Sequence, residues 1–380
     1  MNPRHVLRVL LTVLIAVGPA LYLGGCGGGG DGAPATAAAT SDEQTPLPLS
    51  DRDRLGTLLY ANTSAKVEHW ISWSVTPPEH RHLLSRISTL PYLVQGVRVG
   101  LFRITYSATN LPQYSVHLQR PGNTKLLVYN HGHDGLPLAY ETHAVDFLRM
   151  ALLEGFDLLV TSMPLTGLNA IAADDETPYY IRTRGSEEPT PVPKTILQRP
   201  GYNHGLYEFL DDPDSYLHYF IDGAVVPASI LMGQPERDNS VPYLAEPAVP
   251  VAARYTEVSY VGFSGGGTVG AVACAAYKFD RCILIAGVMP DYLRIIDVAN
   301  FGDFEQLTRS FYEHFNVPTL MSMIQANDTR MTLIYNRFDD CCFADPAASI
   351  FKSDFPQYDI RVTELTYHAY VAADVMALLR

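Results

Sequence analysis

The residues best suited to chemistry lie in Val258-Ser259-Tyr260-Val261-Gly262-Phe263-Ser264-Gly265-Gly266-Gly267, an apolar run that enters a glycine-rich turn carrying one serine. The turn reads Gly262-x-Ser264-x-Gly266. A serine at a sharp strand-to-helix turn must hold a strained backbone, and flanking glycines give it room. From Gly265 to about Tyr277 the residues are small and apolar, as in a helix buried against a sheet. The free N–H groups and positive dipole end of that helix would face Ser264, the candidate nucleophile.

A serine nucleophile needs a base for its proton and an anion to orient the resulting imidazolium. Among known arrangements, one runs serine, acid, histidine along the chain. Only His314 and His368 follow Ser264. His314 precedes the strand expected at Met331–Tyr335, whereas His368 follows the last strand, which makes His368 the base candidate. Asp339 lies just past Met331–Tyr335, on the rim where catalytic groups gather in open α/β sheets. It is preferred as the acid over its neighbour Asp340, because a turn opened by Asn336 places it where such folds hold that residue. Both could instead cap or solvate a loop.

An acyl-transfer intermediate also needs fixed N–H donors for its oxyanion. Asn130-His131-Gly132-His133-Asp134-Gly135 follows an expected strand at Lys125–Tyr129 on the same rim. Its backbone can supply one donor, assigned to His133 with Gly132 as the alternate, beside the N–H of Gly265. His131 and His133 invite a metal reading, but no further histidine continues the pattern. No metal or other cofactor is therefore expected.

The elements that must carry these residues follow from periodicity. Val97–Tyr106 and Tyr114–Leu118 alternate across Asn110-Leu111-Pro112 as an antiparallel hairpin. Next come the strand at Lys125–Tyr129, a helix with Val145, Leu148, Ala151 and Leu152 on one face, and a strand at Phe156–Val160. Strand, helix, strand is the unit of a parallel sheet. Residues 165–214 break that rhythm, with acids, prolines and glycines, and such a long loop is usually functional. A helix capped by Ser215 should run to Met232, kinked or divided by Pro227. Cys282–Val288 reads as a central strand buried on both faces. A second excursion covers 291–330, with a helix around Phe304–Phe315. A strand at Ile360–Leu365 and a closing helix at Val371–Leu379 flank His368.

Arg4 and Arg8 precede an apolar run from Val9 to Leu23, too short for a comfortable membrane span and patterned as a secretory signal over 1–25. Leu23-Gly24-Gly25-Cys26 resembles the lipobox of bacterial lipoproteins. That resemblance implies cleavage before Cys26 and its lipidation, hence an exported protein anchored to a bacterial membrane. The alternative is an ordinary signal with an incidental cysteine. Residues 26–50, rich in Gly, Ala, Thr, Asp and Pro, read as a flexible tether. The remainder, 51–380, fits one α/β domain with insertions.

The 27 Lys+Arg against 40 Asp+Glu give a net charge of −13, which becomes −15 once Arg4 and Arg8 leave with the signal. So acidic a chain argues against nucleic acid as a partner. Four cysteines remain after Cys26, namely Cys274, Cys282, Cys341 and Cys342. They permit three pairings, and no CxxC supports a redox or zinc role.

Over about residues 95–380 the chain resembles the α/β-hydrolase superfamily. The likeness rests on His131-Gly132, the elbow Gly262–Gly266, Asp339 after a late strand and His368 before the last helix. It implies a mostly parallel central sheet with an antiparallel N-terminal hairpin, helices on both faces and lid-like insertions. It further implies Ser264 as nucleophile, His368 as general base and acid, and Asp339 as orienting carboxylate. Asp339-Asp340-Cys341-Cys342-Phe343 departs from the commonest acid loop and suggests a local disulfide that stiffens it. The function expected is hydrolysis of a small-molecule carboxylic ester through an acyl-serine. A peptidase or amidase would use the same triad, and a non-catalytic binding lipoprotein would not need it.

Overall fold

The computed structural model of the protein describes residues 50–60, 65–70, 83, 94–106, 108–133, 142–198, 203–210, 215–233, 255–296, 302 and 304–380. The expected signal at 1–25, Cys26 and the tether up to residue 49 lie outside them, as do Asp134 and Gly135.

The strands are β1 (Ala65–Trp70), β2 (Arg98–Tyr106), β3 (Gln113–Gln119), β4 (Lys125–His131), β5 (Phe156–Ser162), β6 (Tyr180–Ile181), β7 (Thr190–Pro191), β8 (Glu257–Phe263), β9 (Arg281–Ile285), β10 (Arg330–Asn336) and β11 (Asp359–Thr363). Nine of them form one sheet in the order β1-β2-β3-β5-β4-β8-β9-β10-β11, while β6 and β7 pair separately inside the first excursion. β1 with β2, β2 with β3 and β3 with β5 are antiparallel pairs, and every pair from β5 onward is parallel. Apart from β1, the chain order across the sheet is thus first, second, fourth, third, then fifth to eighth, with the second strand reversed. This is the α/β-hydrolase fold.

Alternation along the central strands explains the layers. In β4, Leu126 and Val128 join an apolar cluster containing Ile221, Val269 and Leu320, whereas Leu127 and Tyr129 join one containing Phe147 and Val375. Helices His218–Leu231, Gly265–Ala276 and Val317–Ala326 therefore cover one face, and Thr142–Leu153 and Ala372–Leu379 the other. With both faces covered, the parallel strands are buried on both sides; β5 is buried at every position, its Asp157 included.

Several boundaries differ from the sequence expectation for identifiable reasons. The helix runs His218–Leu231 with Leu217, not Ser215, at its N-cap, and it continues through Pro227. Proline removes the N–H that would bond the carbonyl of Gly223, but the Ser115 hydroxyl donates to that oxygen at 2.6 Å. The helix expected around Phe304–Phe315 is two single turns, Phe304–Leu307 and Arg309–Tyr312, parted by Thr308. Val317–Ala326, unanticipated, is a full helix capped by Asn316, whose side chain accepts from the Thr319 amide at 3.0 Å. β9 stops at Ile285 because Ala286 turns to a positive φ of 48°.

The cysteines pair as Cys274–Cys282 and Cys341–Cys342. The first ties the helix after Ser264 to β9. No helix of the described residues is long and apolar enough to cross a membrane.

Candidate active site

Strand register brings the sequence-predicted residues to one rim. His131 stands opposite Ser162, Asn130 opposite Gly262, Phe263 opposite Ile285, and Asn336 opposite Thr363. The loops that leave β4, β5, β8, β10 and β11 at these points carry His133, Met163, Ser264, Asp339 and His368 respectively.

Ser264 occupies the one residue between β8 and the helix Gly265–Ala276, with φ 56° and ψ −126°. A non-glycine residue in so sparsely populated a region costs about 1–3 kcal/mol and persists only when its surroundings hold it. They do so here: the Ser264 amide donates to Ile285 at 2.8 Å, and the Ser264 carbonyl accepts from Gly267 at 2.8 Å and Thr268 at 3.1 Å. The turn is also packed from below. A Cβ on Gly266 would fall 2.1 Å from the Asn130 carbonyl oxygen, so only glycine lets the helix start sit on β4.

The candidate acid and base are joined. His368 Nδ1 lies 3.0 Å from both carboxylate oxygens of Asp339. Asp339 Oδ1 also accepts from the amides of Cys341 at 2.9 Å and Cys342 at 3.1 Å. Burial would raise the Asp339 carboxyl, but the hydrogen bond and charge of His368 and the two cysteine amides outweigh it and hold it below its ordinary value. Asp340 does something different: its carboxylate accepts the backbone N–H of His368 at 2.8 Å. The His368 ring packs on Phe263, centroids 4.6 Å apart, which places it beside the serine turn. Its Nε2 is buried and has no hydrogen-bond partner among the described residues. His314 lies exposed in the second excursion.

Asn336 turns out to clamp the acid loop to the histidine loop. Its Nδ2 donates to Asp339 Oδ2 at 3.3 Å, to the Tyr367 carbonyl at 3.1 Å and to the Ala369 carbonyl at 2.8 Å. Its Oδ1 accepts from the Thr363 hydroxyl at 2.8 Å.

The loop after β4 abuts the serine. A Cβ on Gly132 would lie 2.5 Å from Ser264 Cβ, 2.7 Å from its Oγ and 2.9 Å from the amide nitrogen of Gly265. Gly265 is the first residue of its helix, so its N–H has no acceptor within the helix. Gly132 and the N–H of Gly265 thus lie beside Ser264, and the His133 ring lies against Gly265.

His131 and His133 do not converge. The His131 ring packs against Phe263 at 5.3 Å, whereas His133 Nε2 reaches Glu305 Oε1 at 2.9 Å. Glu305 and its other partner, His204, are fully buried; His204 Nδ1 is 3.1 Å from Glu305 Oε2, and its Nε2 donates to the Pro164 carbonyl at 2.8 Å. Burial pushes the Glu305 carboxyl up, but the contacts and charge of His133 and His204 prevail and hold it well below the usual carboxylate range. Sequence reading missed Glu305 and His204, which stand in the two excursions with no motif around them. Both excursions pack closely on the body: Tyr179, Tyr207 and Phe311 are core residues, while Phe209 is exposed.

The sequence matches no protein-family model. It matches no curated protein either. Among solved structures, the acetyl xylan esterase 1 of a Thermoanaerobacterium species is similar over 88% of this chain and 97% of its own, with 13% identity and a TM-score of 0.43. An S-formylglutathione hydrolase from Agrobacterium tumefaciens is similar over 75% of this chain and 94% of its own, at 12% identity and TM-score 0.43. The acylaminoacyl peptidase of Pyrococcus horikoshii is similar over 77% of this chain and 42% of its own, at 11% identity and TM-score 0.43. These are likenesses of architecture and carry no statement about substrate.

Proposed function

We propose that this protein is a serine hydrolase that cleaves a carboxylic ester through an acyl-serine intermediate. The observation that carries the reading is the His368–Asp339 pair at 3.0 Å, packed on Phe263 and hence beside the strained Ser264 turn. In the acylation step Ser264 Oγ attacks the ester carbonyl carbon, and His368 Nε2 takes the hydroxyl proton. Asp339 holds the neutral imidazole in the tautomer that leaves Nε2 free to accept that proton, and stabilises the imidazolium that forms. The negative charge on the carbonyl oxygen is met by the N–H groups of Gly265 and His133. His368 then gives its proton to the leaving alcohol, and water repeats the sequence to free the acid and regenerate Ser264.

A fluorophosphonate probe tests the nucleophile: labelling is expected in the intact protein and should vanish in Ser264→Ala. Labelling that survives this substitution, or none at all, would sink the reading. A panel of short-chain and long-chain p-nitrophenyl esters against aminoacyl amides separates esterase from amidase chemistry, with turnover expected on the esters.

The reading extends to location. The charged start, the apolar run and Leu23-Gly24-Gly25-Cys26 support export and lipid anchoring at Cys26. Cys26→Ala should move the full-length protein from the membrane fraction to the soluble fraction; unchanged partitioning would refute the anchor.

A further inference from the structure

Beside the candidate triad lies a second carboxylate–imidazole assembly that the mechanism above leaves unused. Glu305 sits on the single turn Phe304–Leu307, His204 on the turn Asn203–Phe209, and His133 on the loop after β4. Three separate segments thus meet at one fully buried carboxylate.

Proton accounting shows what the assembly requires. The Pro164 carbonyl can only accept, so His204 Nε2 carries a proton. His204 Nδ1 faces the Glu305 carboxylate at 3.1 Å. His204 therefore ties Glu305 to the Pro164 carbonyl, one ring nitrogen on each. The other carboxylate oxygen is left to His133 Nε2 at 2.9 Å. The opposite edge of the His133 ring abuts the serine turn: a Cβ on Gly265 would lie 2.9 Å from His133 Cε1 and 3.0 Å from Nδ1.

We propose that Glu305, fixed by His204, is a positioning residue for the oxyanion hole: it holds the His133 side chain against Gly265 and so sets the backbone N–H of His133 against that of Gly265. The inference rests on the serine-hydrolase reading. Its physical reason is that a donor at a loop has no ladder to orient it. Side-chain anchoring to a buried group on another element supplies the rigidity that oxyanion stabilisation needs. The same chemistry makes both excursions part of the active site, since each contributes one member of the pair that restrains His133.

The test is Glu305→Gln, which keeps the side-chain shape and removes the charge that both imidazoles face. With a p-nitrophenyl ester that Ser264→Ala no longer turns over, kcat is expected to fall on the order of 10²-fold, the scale of losing an oxyanion donor. KM should stay within a factor of about three, because the ground-state carbonyl makes little use of these donors. His133→Asn, at a partly exposed site, should show the same split between kcat and KM and serves as the second variant should Glu305→Gln fail to fold. Full kcat in a folded Glu305→Gln, or in His133→Asn, would overturn the inference while Ser264→Ala still upheld the hydrolase reading. So would a stoichiometric metal ion in the purified protein that is lost in Glu305→Gln, since His133, His204 and Glu305 would then be ligands.

Discussion

His368 Nδ1 is equidistant, at 3.0 Å, from the two carboxylate oxygens of Asp339, while the neighbouring Asp340 accepts the His368 backbone N–H at 2.8 Å. The two adjacent acids therefore serve one histidine in different ways. Asp339 touches the ring and can fix its tautomer; Asp340 touches only the main chain. Asp339→Asn should reduce kcat by about 10³–10⁴-fold, whereas Asp340→Asn should cost less than about tenfold, on the scale of one hydrogen bond. His314→Ala should leave the rate unchanged. Equal losses for the two aspartates in steady-state ester hydrolysis would reverse this assignment.

Gly132 brings the β4 loop against the proposed nucleophile Ser264. A methyl group there would stand 2.5 Å from Ser264 Cβ and 2.7 Å from its Oγ, well inside van der Waals contact. Either the serine turn or the loop carrying the proposed oxyanion donor His133 must shift. Gly132→Ala should lower kcat/KM by about 10²-fold or more, and fluorophosphonate labelling should slow in parallel. Labelling at the normal rate would show that the loop yields without disturbing the site.

Asn336 joins the two loops that bear the proposed acid, Asp339, and the proposed base, His368. Replacing it by Ala leaves the buried Ala369 carbonyl and the Thr363 hydroxyl without the partners they have at 2.8 and 2.8 Å, while the Tyr367 carbonyl keeps the Ala369 N–H at 2.9 Å. The expected cost is about 2–4 kcal/mol of stability, from orphaned buried polar groups. The His368–Asp339 geometry should also loosen, with kcat lowered about tenfold or more. Urea unfolding together with kinetics checks both; Asn336→Asp, which keeps only the acceptor, should recover little of either.

The features legible in the amino-acid sequence are those written in local pattern. The elbow at Ser264, the rim strands and the order of Asp339 and His368 each leave a mark within a few residues. Local pattern also explains the failures. Pro227 signals a helix break, but the compensating donor, Ser115, lies more than a hundred positions away, and no local rule can anticipate it. Asn316 followed by Pro318 is a helix-start signal that was available for Val317–Ala326 and was hidden by the irregular stretch before it. Glu305 and His204 acquire their meaning only where the two excursions meet beside His133. Edge strand β1 and the clamp role of Asn336 are likewise products of long-range pairing.

His69 predicts a pH dependence of stability. It lies on β1, is 1% exposed, stacks on Phe102 with centroids 3.9 Å apart, and neither ring nitrogen has a hydrogen bond among the described residues. Burial therefore disfavours the imidazolium and lowers its pKa from 6.5 to about 4. Between these values the unfolded chain binds a proton that the folded chain does not, so stability rises with pH across this window. The contribution is fully present above about pH 6.5 and is lost as pH falls towards 4. From pH 7.5 to pH 5, His69 should account for about 2 kcal/mol of lost stability. His69→Phe keeps a flat ring to stack on Phe102 and has nothing to protonate, so its unfolding free energy should decline less over the same interval by that amount. Matching pH slopes for the two proteins in urea titrations would show that His69 does not carry this effect.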